Sequence, residues 1–139
     1  MVILSFFFQF LFFWYLFVKI LGLWSPSDCI AKHHVAILIP YRDREDHLKQ
    51  FLFHMHPLLA RQELSYGIYL IEPVANITFN RGILLNAGFI ESNKQSRDKW
   101  ECHAYHDVDL LPEYDYAPYS CPEYPTHLSH IISSHGYRY

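Results

Sequence analysis

The chain has 139 residues, with 11 basic residues, 14 acidic residues and a formal net charge of -3. This mild negative charge does not favour nucleic acid or another polyanion as a partner. Once an apolar N-terminal segment is set aside, about 115 residues remain, which is enough for one small domain.

The first segment, residues 1–24, starts with "MVILSFFFQFLFFWYLFV" and has no charge before Lys19. An apolar stretch of about 20 residues matches the hydrocarbon core of a bilayer. There is neither a basic n-region nor an A-x-A-like site, which favours an uncleaved transmembrane anchor over a cleaved signal peptide. Lys19, Lys32 and Arg42 follow the apolar residues, so the positive-inside rule places the rest of the chain in the cytoplasm.

After a short predicted stem at residues 25–34, a domain at residues 35–139 alternates strand-like and helix-like segments. Short apolar runs that end in proline or charged residues are typical of buried strands, whereas apolar residues at helical spacing predict helices. The pattern predicts strands at 34–42, 66–73 and 102–112 and helices at 43–62 and 80–94. This order indicates an α/β domain with a parallel sheet and right-handed connections.

Local signals refine the two predicted helices. Asp43 stands where the first helix needs an N-cap, and Pro57 is expected to kink or end that helix. In the second helix, Ile83, Leu84 and Ala87 are predicted to lie on one side.

Charged residues gather where the predicted strands end. Arg42 and Arg44 follow the first strand, and guanidinium groups bind phosphate or uracil-type acceptors through several donors. The alternative is a pair of surface charges at the start of a helix. Arg81 has the same ambiguity, with Phe79 nearby to stack on a flat base. Because ligands bind at the carboxyl ends of parallel strands, the sequence predicts a site at this edge.

The stretch "HDVD" places Asp107 and Asp109 two residues apart at the end of the third predicted strand. On an extended segment both carboxylates face the same way. Mn²⁺ and Mg²⁺ prefer carboxylate oxygen and leave room for substrate phosphates. The pair therefore suits a metal that bridges the protein to a diphosphate, although two solvated turn acids would give the same pattern.

The ten histidines do not form a zinc pattern: His54 and His56, for example, are two apart on a helix and face different directions. The cysteines are more informative. Cys102 and Cys121 flank the acidic pair, and a disulfide between them would stabilise that loop by about 3 kcal/mol. Cys29 is then left without a predicted partner.

Four segments carry a resemblance to a known family: "VAILIPYRDREDHL", "HPLLARQELSYGIYLIE", "FNRGILLNAGF" and "HDVDLLPEYD". In their order and approximate spacing, from Val35 to Ser129, the chain resembles the β-1,4-galactosyltransferase family. Cys102 and Cys121 also stand where the family has a disulfide. The resemblance implies a GT-A type fold with a Rossmann-like, mostly parallel sheet. It also implies a single-pass type II Golgi membrane protein with a lumenal catalytic part, in conflict with the positive-inside rule.

The resemblance also implies roles for individual residues. Asp109 would be the direct ligand of Mn²⁺. Tyr41 stands where the family usually has phenylalanine. The sequon "NIT" at Asn76 would be usable in the lumen. The implied donor-binding residues are Pro40, Tyr41, Arg42, Arg44, Phe79, Arg81, Asp107 and Val108.

The implied reaction is transfer of galactose or N-acetylgalactosamine from UDP-galactose or UDP-N-acetylgalactosamine to a glycan acceptor, with inversion. The acceptor-binding segment, the general base and a further metal-binding histidine are expected beyond Tyr139, so no catalytic residue is assigned here. Two alternatives stay open. One is a catalytically inactive UDP-sugar-binding or interaction fragment, and the other is a chain that does not fold stably on its own.

Overall fold

The computed structural model describes residues 16–95, 100–129, 132–133 and 136–137. Their regular elements form a four-stranded sheet with a helix on each face. The strands are β1 (Leu16–Trp24), β2 (His34–Pro40), β3 (Ser65–Pro73) and β4 (Cys102–Tyr105), and the helices are α1 (Glu45–Arg61) and α2 (Arg81–Gln95). The sheet order is β1-β3-β2-β4.

The central strand β2 is buried on both faces. Val35, Ile37 and Ile39 pack in a core cluster on the side of α1, whereas Ala36 and Leu38 pack in a second cluster on the side of α2. Successive residues of a strand point to opposite faces, so both sets must be apolar when both faces are covered. This explains why β2 reads as a continuous apolar run.

The predicted parallel arrangement is confirmed for three strands, because β2 pairs in parallel with both β3 and β4. The register sets Pro40 opposite Ile71 and Leu38 opposite Tyr105. The carboxyl ends of the three strands therefore meet at one edge of the sheet.

The segment Leu16–Trp24, predicted as the end of a membrane anchor, is instead strand β1, antiparallel to β3. It pairs with the outer edge of β3, whose backbone groups would otherwise lack strand partners. Trp24 also stacks on Tyr66 with ring centroids 5.5 Å apart. Residues 1–15 of the predicted anchor lie outside the described residues. Within the described part of the chain, no helix combines the length and apolar character needed to cross a bilayer.

The N-cap predicted for α1 is wrong, and of the two effects predicted for Pro57, a kink or the end of the helix, the second does not occur. Asp43 is not its N-cap, because Arg44 occupies that position and Asp43 adopts a φ of 49°. Pro57 does not end the helix, which continues through it. A proline leaves only the carbonyl four residues earlier, that of Phe53, without its helical donor. Phe53 is 86% exposed, so it lies on the side of the helix that faces water.

The face that α2 turns toward the sheet also differs from the prediction. Leu84 and Leu85 are buried as part of the core, but Ile83 is 61% exposed. Gly88 explains the orientation, because a Cβ atom there would lie 2.8 Å from Ile71 side-chain atoms. The glycine allows α2 to approach β3 closely, and the buried face of the helix is centred on that contact.

The close approach of α2 to β3 at Gly88 predicts the effect of adding a methyl group there, and Gly82 in the same helix provides a matched control. Gly88→Ala would force a methyl group against buried Ile71, so we expect the free energy of unfolding to fall by about 1–3 kcal/mol. At Gly82 an added Cβ would meet only ordinary van der Waals contact, 3.5 Å from Asn80 Oδ1. Gly82→Ala should therefore leave stability unchanged or raise it by up to about 1 kcal/mol. Urea unfolding followed by tryptophan fluorescence measures both, and equal effects at the two sites would contradict this packing.

Candidate functional site

A cleft of about 500 Å³ opens at the carboxyl edge of the parallel strands. Six of its eight lining residues come from the segments that follow β2 and β4. The lining residues are Pro40, Arg42, Asp43, Arg44, Phe79, Asp107, Val108 and Asp109. The structure thus brings together seven of the nine donor-binding and metal-binding residues predicted from the sequence.

The other two predicted residues, Tyr41 and Arg81, take different positions. The Tyr41 side chain packs in the core cluster on the side of α1, and its backbone N–H donates to Ile71 O at 2.9 Å. Arg81 reaches the cleft through its ion pair with Asp107. Asp43, which was predicted only as a helix cap, is an additional residue that lines the cleft. Aspartate tolerates the left-handed backbone conformation found there, which lets the chain reverse between Arg42 and Arg44.

The acidic pair lies on a turn, not on an extended strand as predicted. β4 ends at Tyr105, and the backbone N–H of Leu110 donates to Asp107 O at 3.2 Å. Val108 is 6% exposed and packs in the α1-side core, which holds the middle of the motif down. Asp107 and Asp109 therefore share the cleft because a buried valine anchors the turn between them.

Each carboxylate is held by a different arginine. Arg44 Nη1 donates to Asp109 Oδ2 at 3.1 Å. Arg81 donates twice to Asp107, from Nε to Oδ1 at 2.8 Å and from Nη2 to Oδ2 at 3.3 Å. These side chains are 37–52% exposed, and exposed ion pairs contribute only about 0–1 kcal/mol. The two ion pairs therefore add little to the free energy of unfolding, and stability alone does not explain why arginines and aspartates are placed together in the cleft.

The third arginine is fixed by other contacts. The Arg42 guanidinium lies 5.5 Å from the centroid of the Phe79 ring and donates to the Ile77 carbonyl. Asn80 caps α2, since its Oδ1 accepts from the Ile83 N–H at 3.1 Å, and this places Arg81 in the first helical turn. The segment between β3 and α2 thus supplies Phe79 to the cleft, and the first residue of α2, Arg81, pairs with Asp107 of the cleft.

A buried histidine supports the acidic turn from behind. His106 Nδ1 lies 2.8 Å from Asp107 O, and His106 Nε2 lies 2.7 Å from the Tyr119 hydroxyl. Burial lowers the pKa of His106, although the neighbouring Asp107 carbonyl opposes that shift. Burial also raises the pKa of Tyr119. No local sequence pattern predicts this pair, because only folding brings together residues 13 positions apart in an irregular loop.

The charges of the cleft bear on whether a metal fits it. Arg42, Arg44 and Arg81 carry three positive charges, and Asp43, Asp107 and Asp109 carry three negative charges. The carboxylates of Asp107 and Asp109 are 37% and 45% exposed, so their oxygen atoms are accessible. Such a donor set fits a hard divalent cation. A bound divalent ion would leave the cleft with a net charge near +2, which complements a diphosphate.

A second group of potential ligands lies elsewhere. Atoms of His33, Glu101 and Cys121 come within 4.8 Å of one another, near the amino ends of β2 and β4. Cys121 is bonded to Cys102, however, so its sulfur is not a thiolate, and His33 Nδ1 already contacts Glu101 Oε2 at 2.7 Å. The potential ligand atoms of this group are therefore already engaged in a disulfide and in a hydrogen bond. The group also lies at the opposite edge of the sheet from the cleft.

The disulfide that the family resemblance implies is present between Cys102 and Cys121, with a sequence separation of 19 residues. It joins the end of the acidic loop to β4. Cys29 is a free, exposed cysteine. Asn76 lies in an exposed turn between β3 and α2 with a φ of 67°.

Comparison with known proteins agrees with this geometry. The profile of the N-terminal region of glycosyl transferase group 7 matches residues 15–122. Human β-1,4-galactosyltransferase 4 is 48% identical over 117 residues, and the bovine β-1,4-galactosyltransferase 1 is 44% identical over 120 residues. These alignments cover 84% and 86% of this chain but 33% and 29% of the relatives. The chain thus spans about a third of the length of the curated relatives it matches.

A solved structure shares the fold. It is a mutant of Drosophila β-1,4-galactosyltransferase 7 in complex with manganese, UDP-Gal and xylobiose, 40% identical in sequence with a TM-score of 0.59. The superposition covers 66% of this chain and 37% of that one. The chain therefore belongs to the β-1,4-galactosyltransferase family within glycosyl transferase group 7, and it matches the N-terminal region of that group.

Proposed function

We propose that the cleft binds a UDP-sugar together with Mn²⁺, as the donor site of a β-1,4-galactosyltransferase. The protein would transfer galactose or N-acetylgalactosamine to a glycan acceptor with inversion. One observation carries the proposal: two arginines and two exposed carboxylates line a single cleft at the carboxyl ends of parallel strands, and a third arginine, Arg81, pairs with one of those carboxylates. The related Drosophila enzyme was solved with manganese and UDP-Gal, which supports the same ligands here.

The nucleotide end of the donor is assigned to Arg42 and Phe79. Their stacked contact offers an aromatic ring and a planar guanidinium beside each other, and both suit a pyrimidine base with its attached ribose and phosphate. Arg44 and Arg81 are assigned to the diphosphate, because forked donors bind phosphate oxygens as readily as carboxylate oxygens.

The metal is assigned to Asp109, with Asp107 beside it. When bound, Mn²⁺ would supply positive charge to the leaving diphosphate. Arg44 donates a hydrogen bond to one carboxylate oxygen of Asp109, so a metal held by Asp109 would compete with that ion pair. Release of Arg44 would free its donors for phosphate. The protein residues thus bind and orient the donor and stabilise charge on its leaving group.

The proposal predicts that Asp109→Asn weakens binding of UDP in the presence of Mn²⁺ by roughly 10- to 100-fold, because one charged ligand is lost. Isothermal titration of UDP into the full chain measures this. Asp115→Asn is the matched control, since Asp115 is an exposed acid of the same loop that pairs with Arg61 at 2.8 Å. It should bind UDP like the unmodified chain.

Two results would contradict the donor site: no UDP binding with Mn²⁺, or equal affinity in the Asp109 and Asp115 variants. Binding of UDP without any transfer of sugar would instead favour the alternative of an inactive UDP-sugar-binding protein.

We further propose that the protein works in the Golgi membrane with its cleft in the lumen, held by the apolar residues that precede β1. The Cys102–Cys121 disulfide is typical of the oxidising secretory pathway. The exposed Asn76 turn suits an N-linked glycan.

Expression of the full chain in animal cells tests this placement. A glycosidase that removes N-glycans should increase the gel mobility of the unmodified protein, and Asn76→Gln should abolish that change. Asn86→Gln is the control, because Asn86 is exposed on α2 but is not followed by a sequon threonine or serine. An unmodified protein that is insensitive to the glycosidase and is released from membranes by alkaline carbonate would overturn the placement.

A further inference from the structure

Several side chains connect the loop that carries the acidic turn to α1 and the residue after it. Arg61 pairs with Asp115 at 2.8 Å, His54 Nε2 lies 2.9 Å from Pro112 O, and Gln62 contacts three backbone groups. Gln62, the residue after α1, donates from Nε2 to Asp115 O at 3.2 Å and to Ala117 O at 2.8 Å. Its Oε1 accepts from the Tyr119 N–H at 3.0 Å. Backbone groups in an irregular loop need partners outside regular structure, and a single amide satisfies three of them here. Gln62 therefore fixes the path of the loop up to Tyr119.

From that fixed point, Tyr119 reaches back to the acidic turn. It is 4% exposed, its hydroxyl is 2.7 Å from His106 Nε2, and the two rings stack at an interplanar angle of 19°. Phe51 of α1 packs edge-on against His106, with ring centroids 5.0 Å apart. The imidazole is thus held by contacts with two aromatic rings and by hydrogen bonds at both of its nitrogens.

The hydrogen bonds assign the tautomer of His106. Asp107 O is an acceptor only, so Nδ1 carries the proton and donates to it, and Nε2 accepts from the Tyr119 hydroxyl. Asp107 O also accepts from the Leu110 N–H. Both of its acceptor positions are therefore used, which fixes the peptide group between Asp107 and Val108.

We propose that Gln62, Tyr119 and His106 are positioning residues that set the orientation of the acidic turn for a divalent cation. None of the three lines the cleft. They act on Asp107 and Asp109 from behind, through the Asp107 carbonyl, as outer hydrogen bonds orient metal ligands in other proteins. The inference rests on the proposed function, to which it adds residues outside the cleft.

The test separates this role from ordinary support of the fold. Tyr119→Phe removes only the hydroxyl that His106 accepts. Tyr116→Phe is the matched control, because Tyr116 is in the same loop, 78% exposed and stacked on Tyr114. Two readouts apply to each full-length variant: amide hydrogen exchange at Leu110, which reports on the turn, and affinity for Mn²⁺ alone, from the electron paramagnetic resonance of the free ion.

We expect Tyr119→Phe to speed exchange at Leu110 while amides of β2 and β3 keep their protection, and to weaken Mn²⁺ binding by roughly 10- to 100-fold. Tyr116→Phe should change neither. Unchanged exchange and affinity in Tyr119→Phe would overturn the inference. A uniform loss of protection across the sheet would do the same, because the hydroxyl would then support the whole fold.

If Tyr119→Phe does not fold, two variants of His106 test the same inference. His106→Asn places an amide donor near the position of Nδ1 but cannot reach Tyr119, so it should protect Leu110 better than His106→Ala does. Equal exchange in these two variants would overturn the inference. Failure of the unmodified chain to bind Mn²⁺ would refute the proposed function, whereas exchange at Leu110 tests the link between His106 and the turn without any ligand.

Discussion

The candidate site depends on the burial of β2 in the centre of the sheet, with parallel neighbours on both sides. Its continuous apolar run is stable only when α1 and α2 cover both faces, and that arrangement fixes the register of β3 and β4. Because these strands run in parallel, the residues that follow them emerge at one edge. Arg44, which follows β2, thereby reaches Asp109, which follows β4, across 65 positions of sequence.

The acidic turn has exposed carboxylates but a backbone that is held in place without the hydrogen bonds of a strand. Burial of Val108 in the core holds the middle of the turn. Two hydrogen bonds to the Asp107 carbonyl fix the orientation of its peptide group. The arginines on Asp107 and Asp109 balance the charge of the acids. In the proposed function, a cation and a diphosphate would take over that charge balance. On this account, α1 matters to the site as much as the sheet does, through Phe51 and the adjoining Gln62.

Much of this arrangement is readable from the sequence. The alternation of apolar runs and helical spacing predicts the parallel sheet, and strand ends rich in arginine and aspartate predict its functional edge. Other features depend on contacts that no local pattern encodes. A strand such as β1 and a membrane span are both apolar, so hydropathy does not distinguish them at residues 16–24. The rotation of α2 depends on how Gly88 meets Ile71, and the link from Gln62 through Tyr119 joins residues 57 apart.

We propose that the divalent cation binds at the acidic turn together with the nucleotide. Paramagnetic relaxation by Mn²⁺ in the presence of UDP tests this placement, with a Mg²⁺ sample as the diamagnetic reference. We expect the strongest broadening of amide resonances at residues 107–110, followed by residues 40–44 and 79–81. Broadening centred on His33 and Glu101, at the opposite edge of the sheet, or no localised broadening at all, would contradict it.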